Sequence, residues 1–255
     1  MRGPENSKRL AEAGVQALSS PFDRVRLVST RISRRWRPAD ATPAAPVVRQ
    51  ALKWRADLVV FSQASCWGAY TEMLALAEAG IPYVCISQLN TPFSWPGDGL
   101  FGAVGDAFSK ACAAVFVSQG NLDLFQSQAA VKLENAHVIY NPPSFDVSEP
   151  CAPPPEDAFH LLNVARIDPG HKGQDLLIDV LSLPIWRERD VRQSIAGGGN
   201  RKWMEQVLKI KGLVNVHLLG HVGDLRSAWQ EATFGVFSSR YEGMPLAMIE
   251  GMALG

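Results

Sequence analysis

Two α/β domains in tandem, each a parallel sheet with helices on both faces and with a ligand cleft between them, are what this sequence predicts. Three observations carry the prediction. Short, near-continuous apolar runs alternate with amphipathic stretches along most of the chain, and strands of that kind belong in parallel sheets covered on both sides. A proline-rich break divides the alternation in two. At 255 residues and 47% hydrophobic, the chain can fill more than one small core.

In the first part, strands are expected at 25–28, 57–61, 83–86, 113–117 and 137–140, with helices at 5–13, 47–55, 68–79, 99–111 and 119–129. This domain is assigned to residues 1–147. It opens on a polar helix rather than a strand, so its first strand is expected to be missing. Residues 141–156 then hold six prolines in sixteen positions, which neither a helix nor a central strand tolerates. The stretch 148–158 is read as a stiff connection. After it, strands fit at 159–165, 192–196, 214–219 and 233–237, and helices at 173–182, 201–211, 223–231 and 245–254. Four strand–helix pairs fall short of the five or six strands of a doubly wound half. The second domain, 159–255, is therefore read as incomplete.

Net charge is zero but unevenly spread. Residues 1–55 hold 12 Lys/Arg against 4 Asp/Glu, and the rest hold 13 against 21. A basic N-terminal portion suits an anionic surface such as a membrane face, or is simply a solvated Arg-rich surface. No nucleic-acid partner is expected. The cysteines Cys66, Cys85, Cys112 and Cys151 lack paired metal spacing, and the surroundings of Cys85 and Cys112 read as core. Reduced thiols in a cytoplasmic protein are expected. The first 15 residues are polar and charged, unlike a signal peptide. No apolar run reaches the ~18 residues that span a bilayer. Any membrane contact is therefore expected to be peripheral, at the inner face.

Four strand-end loops of the second domain carry ligand-compatible residues. The first is Asn163-Val-Ala-Arg166-Ile-Asp-Pro-Gly-His-Lys172, where a buried strand ends in a guanidinium and an ammonium precedes the next helix. One of each beside a cleft suits a diphosphate, although alone the pair also reads as a surface Arg and a helix-start Lys. The second is Gly197-Gly198-Gly199, where the backbone could approach a ligand or merely turn. It is not a G-x-G-x-x-G fingerprint, because Lys202 stands where the last glycine would be. The third is Leu219-Gly-His-Val222, followed by Asp224, which is placed to cap the next helix. His221 reads more readily as a solvent-facing loop residue than as a catalyst.

The fourth is Glu242-Gly-Met-Pro-Leu-Ala-Met-Ile-Glu250, two carboxylates eight positions apart with Pro245 expected at the first helical position. Free backbone N–H groups there suit an anionic or hydroxyl-rich group. All four loops leave the same sheet edge, where α/β domains bind ligands.

On the Arg166-x5-Lys172 pair, the glycine turn, the Leu219–Val222 loop and the Glu242-x7-Glu250 motif, in that order, residues 159–255 resemble glycosyltransferase family 4. These are retaining enzymes of the GT-B fold, built from two Rossmann-like domains. The first domain resembles the family more loosely, through Val115-Phe-Val-Ser118 and Ile139-Tyr-Asn-Pro142. The resemblance implies transfer of a sugar from a nucleotide diphosphate sugar to a polysaccharide, lipid-linked or other cell-envelope acceptor. Arg166 and Lys172 would hold the diphosphate, Glu242 would face the sugar and Glu250 would bind the ribose. Gly243, Met244 and Leu246 would touch sugar and phosphate, the turn at Gly198 would lie along the donor, and Val222 would contact the base.

No metal or other cofactor is expected, since two cations and a helix N-terminus can offset the leaving charge. Same-face attack by the acceptor is the family's usual description, and no enzyme nucleophile is assigned. Many relatives place a His in the first domain near the donor sugar. Here that loop reads Ser87-Gln-Leu-Asn-Thr-Pro-Phe-Ser-Trp95, where Gln88 and Asn90 could bond a sugar and Trp95 could stack on one; the alternative is a polar loop with a core Trp. A donor-binding fragment without turnover and a nucleotide-sugar epimerase are the competing readings.

Overall fold

The computed structural model describes residues 45–64, 68–149 and 159–255. The helix and strand expected before residue 45, Cys66, Cys151 and most of the proline-rich connection lie outside them. From residue 46 on, the chain forms one compact unit that contains two separate parallel sheets.

The first sheet is built by α1 (Ala45–Trp54), β1 (Val59–Gln63), α2 (Tyr70–Glu78), β2 (Tyr83–Ser87), α3 (Leu100–Ser109), β3 (Ala113–Phe116), α4 (Gln119–Ala129) and β4 (Ala136–Val138). Its strands lie in the order β1-β2-β3-β4, every pair parallel. A helix or loop crossover separates each pair, as parallel pairing requires. Phe108, Phe116 and Phe125 meet in the core, with the rings of Phe108 and Phe125 4.2 Å apart. Met73, Leu76 and Cys85 fill the space around them. The core reading of Cys112 is corrected: it is exposed, in the bend before β3, which starts at Ala113 as expected.

The second sheet follows with β5 (Phe159–Val164), the short turn α5 (Pro169–Lys172), α6 (Gln174–Leu181), α7 (Pro184–Arg187), β6 (Val191–Ala196) and α8 (Arg201–Lys211). The chain continues through β7 (Val216–Gly220), α9 (Leu225–Gln230), β8 (Phe234–Gly235) and α10 (Leu246–Leu254). The strand order is β7-β6-β5-β8, all parallel. The expected strand at 233–237 shrinks to two ladder residues. Its neighbours still donate to β5, Thr233 N to His160 O at 2.8 Å and Val236 N to Leu162 O at 2.8 Å.

Chain order in this sheet runs outward from β5 to β7 and then returns to the other side of β5 as β8. Such a reversal opens a crevice at the C-terminal ends of β5 and β8, the strands on either side of it. Buried Asn163, near the end of β5, bridges the pair by donating to Val236 O at 2.7 Å. The loops leaving β5 and β8 are the ones that carry Arg166, Lys172 and Glu242. Among the described residues, no helix is long and apolar enough to cross a membrane.

Candidate functional site

The loop after β5 is fixed by Gln174, a wholly buried amide at the start of α6. Its Nε2 donates to Arg166 O at 2.9 Å and its Oε1 accepts from Asp168 N at 3.2 Å. Burying an amide is tolerated because both ends are bonded. This orients the turn from which Arg166 projects. The Arg166 guanidinium, 64% exposed, donates to Asp168 at 2.6 Å.

Lys172 ends α5 and turns toward the loop after β8. Its Nζ donates to Glu242 Oε1 at 2.6 Å, with the two side chains only 20% and 24% exposed. His171 lies beside them. Its Nε2 is 3.9 Å from Glu242 Oε2 and 3.0 Å from Tyr241 O, and its ring stacks on Tyr241 at 4.4 Å. The two loops are also joined through main chain. Arg240 N donates to His171 O at 2.9 Å, and Ser238 Oγ donates to Lys172 O at 2.9 Å. Arg240 grips Asp175 with its two terminal guanidinium nitrogens, at 2.8 and 2.6 Å. Those hydrogen bonds hold the Asp175 carboxyl below its usual range.

Gly173 explains how the loops come so close. Its φ is +65°, and a Cβ there would lie 1.9 Å from Ser238 O. A side chain would meet backbone, which cannot give way.

The structure thus brings Lys172 and Glu242 into contact and turns Arg166 toward Asp168. Glu250 lies elsewhere on its helix, 2% exposed, and its Oε1 accepts from Ser144 N at 2.7 Å and Ser144 Oγ at 2.6 Å. Pro245 is the N-cap of α10 rather than its first residue; Leu246 takes that place. Val222 packs against the apolar cluster of Leu162, Ala196, Trp229 and Leu254. Asp224 caps α9 as expected, accepting from Ser227 N at 3.2 Å.

The glycine turn is used first by the protein itself. Cβ atoms at Gly197 and Gly199 would lie 2.1 Å from Ala165 O and 2.5 Å from Ile167 O, so the turn lies tight against the backbone that flanks Arg166. Gly198, between them, is exposed and faces open space.

The first sheet contributes the opposite wall. Ser118 Oγ donates to Gly243 O at 2.7 Å, and Asn141 N donates to Met244 Sδ at 3.0 Å. A Cβ at Gly243 would lie 1.9 Å from Gln88 O. Gln88 is further held by Asn141, whose Nδ2 donates to its Oε1 at 3.0 Å. Two expectations for this loop are corrected. Asn90 is a buried structural residue, its amide bonded to Asn121 O at 2.7 Å and its backbone N to Asn121 Oδ1 at 2.6 Å. Trp95 is not in a core but 59% exposed.

Gln174, His171, Tyr241 and Ser144 are the site residues that sequence reasoning missed. Each acts through partners 6 to 106 positions away, so no motif spacing announces it. Among the described residues, no group of three or more His, Cys, Asp or Glu side chains is placed to hold a metal ion.

Residues 158–255 match the model of a family described as Glycosyl transferases group 1. No curated protein matches the chain by sequence. Among solved structures, it is similar to a glycosyltransferase from Rickettsia africae ESF-5, at 16% identity and TM-score 0.69, over 99% of this chain and 67% of that one. HepE of Anabaena in complex with UDP-glucose is similar at 22% identity and TM-score 0.63, over 83% of this chain and 60% of that one. A TarM mutant from S. aureus, in complex with fondaparinux, alpha-GlcNAc-glycerol and UDP, is similar at 20% identity and TM-score 0.62. That match takes in 83% of this chain but only 43% of TarM, so the chain spans less than half the length of that relative. Identities this low establish the fold: an α/β chain with parallel sheets, matching the Rossmann-like domains of the GT-B type.

Proposed function

We propose that this chain binds a nucleotide diphosphate sugar and takes part in retaining glycosyl transfer of the family 4 kind. The acceptor would be a polysaccharide, a lipid-linked glycan or another component of the cell envelope. The observation that carries the reading is the placement of Arg166, Lys172 and Glu242 at the reversal of strand order in the second sheet. Support also comes from the family match over 158–255 and from the UDP and UDP-glucose bound by the structurally similar TarM and HepE.

In this reading each cation is held in place by a carboxylate that a diphosphate can outbid. Arg166 exchanges Asp168 for phosphate oxygens, and Lys172 swings between Glu242 and the β-phosphate. Glu242 then faces the sugar hydroxyls and Glu250 the ribose. Gly243, Met244 and Leu246 offer backbone to sugar and phosphate, Gly198 lies along the donor, and Val222 lies under the base. The acceptor hydroxyl oxygen bonds to the anomeric carbon as that carbon's bond to the β-phosphate oxygen breaks. The acceptor proton passes to the departing phosphate on the same face. Two cations and the first turn of α10 offset the developing charge, with no metal or enzyme nucleophile assigned. The setting of this reading is cytoplasmic, with any membrane contact peripheral at the inner face.

Calorimetric titration with UDP, GDP and ADP tests the proposal. One of them should bind, and Glu250→Gln should weaken that binding by about 1–3 kcal/mol through loss of a charged, buried hydrogen bond. A folded sample that binds none of the three would overturn it. Sugar release from a panel of nucleotide sugars then separates a transferase from a donor-binding chain, and interconversion of the donor without an acceptor would reveal an epimerase.

A further inference from the structure

The loop after β2 presents an aromatic surface that the donor site does not use. Phe93 is 72% exposed and Trp95 59%, with Leu100 and Phe101 also exposed just beyond them. Exposed rings on a wandering loop would mean little, but this loop is pinned. Gln128, buried on α4, donates to Thr91 O at 2.8 Å and to Ser94 O at 2.9 Å. The indole Nε1 of Trp95 donates back to Pro92 O at 2.9 Å. Buried Asn90 anchors the loop's start through Asn121. The rings are thus held outward by bonds to the backbone around them. Large apolar faces kept in water in this way mark an interaction surface.

Position and charge narrow the occupant. Phe93 meets Tyr241 edge-on at 5.8 Å, and Tyr241 stacks on His171 beside Glu242. The platform therefore adjoins the proposed sugar side of the donor site. From residue 56 to 109 there is no Lys or Arg, while Asp57, Glu72, Glu78, Asp98 and Asp106 are present. An anionic lipid surface needs basic residues among its apolar anchors, and the loop that carries the rings, residues 88–101, holds none. A pyranose has an apolar C–H face that suits an aromatic ring and a hydroxyl rim that suits Thr91, Ser94 and Asp98. It also needs no cation.

We propose that Phe93 and Trp95 form a stacking subsite for an uncharged sugar ring of the acceptor. The claim rests on the transferase reading for the word acceptor, and on the loop alone for the ligand's chemistry.

The test is a panel of neutral and acidic oligosaccharides, read by saturation-transfer NMR on the full chain, together with phosphatidylglycerol vesicles in a sedimentation assay. A neutral oligosaccharide should bind. Trp95→Ala and Phe93→Ala should each weaken it at least tenfold, Trp95→Phe should retain most of it, and nucleotide binding by calorimetry should be unchanged in all three. Absence of any neutral ligand, binding indifferent to both alanine variants, or preference for acidic glycans or vesicles would overturn the subsite. Retained nucleotide binding alongside such a failure leaves the donor reading intact. Loss of nucleotide binding in the unaltered chain would strike the donor reading instead.

Discussion

Ser144 donates twice to a single oxygen of Glu250, through its amide and through its hydroxyl. A carboxylate 2% exposed in the middle of α10 is thereby held by a residue that lies between the two sheets in sequence. Ser144→Ala removes one donor and leaves the other. Urea unfolding should show a loss of about 1–2 kcal/mol, the cost of one hydrogen bond to a buried charge. An unchanged midpoint would mean that the hydroxyl does not bind Glu250 in solution.

Lys172 and Glu242 join loops 70 positions apart in a partly screened setting. A double-mutant cycle with Lys172→Met and Glu242→Gln should give a coupling energy of about 1 kcal/mol, above the range of an exposed pair and below that of a fully buried one. Thermal or urea denaturation of the four proteins measures it. Additive single effects would show that the two loops are held by their main-chain bonds alone.

Two left-handed glycines provide a matched comparison. Gly80 and Gly173 have φ of +68° and +65°, but a Cβ at Gly80 meets nothing within 4 Å, whereas at Gly173 it meets Ser238 O. Gly80→Ala should cost only the conformational penalty, about 1 kcal/mol. Gly173→Ala should cost that and a backbone shift besides, about 3 kcal/mol or more in all. Equal losses in urea unfolding would contradict the close approach of the two loops.

The thiols should separate cleanly. Burial pushes the Cys85 thiol up to about 12, while Cys112 is exposed. In a background with Cys66 and Cys151 changed to Ser, a thiol reagent at pH 8 should label Cys112 promptly and Cys85 only on unfolding. The same shift has a stability consequence. Between the unfolded value of 9.0 and about 12 the unfolded chain has lost a proton that the folded one keeps. Stability should therefore fall with rising pH across that window, by up to about 1.4 kcal/mol per pH unit for this group. Burial of Tyr83 raises its hydroxyl as well and acts in the same direction.

The first parallel sheet was legible because its inner strands are apolar on both faces, which leaves a plain mark in the residues at 83–86 and 113–117, whereas β6 buries the polar Gln193 and Ser194. The motif residues Lys172 and Glu242 were legible through chemistry and spacing, and they do meet. β8 was overread, since the apolar run at 233–237 records burial, whereas a ladder needs partners. Gln174 and Ser144 left no mark, because a buried amide and a hydroxyl acquire meaning only from groups that the fold brings to them. Cys112 was misread because its apolar neighbours in sequence suggest burial, whereas it stands in the bend just before β3 and faces the surface.

The glycine at 243 has a consequence for the cleft as a whole. Its φ is ordinary, so only its missing side chain matters, and that absence lets the Gln88 carbonyl rest against it while Ser118 and Asn141 reach the next atoms along. Position 243 is a gauge: the loop bearing Glu242 stands off from the first sheet by the thickness of a bare backbone. Even a methyl group would act as a shim, prising the loop that bears Glu242 away from Gln88 and Ser118.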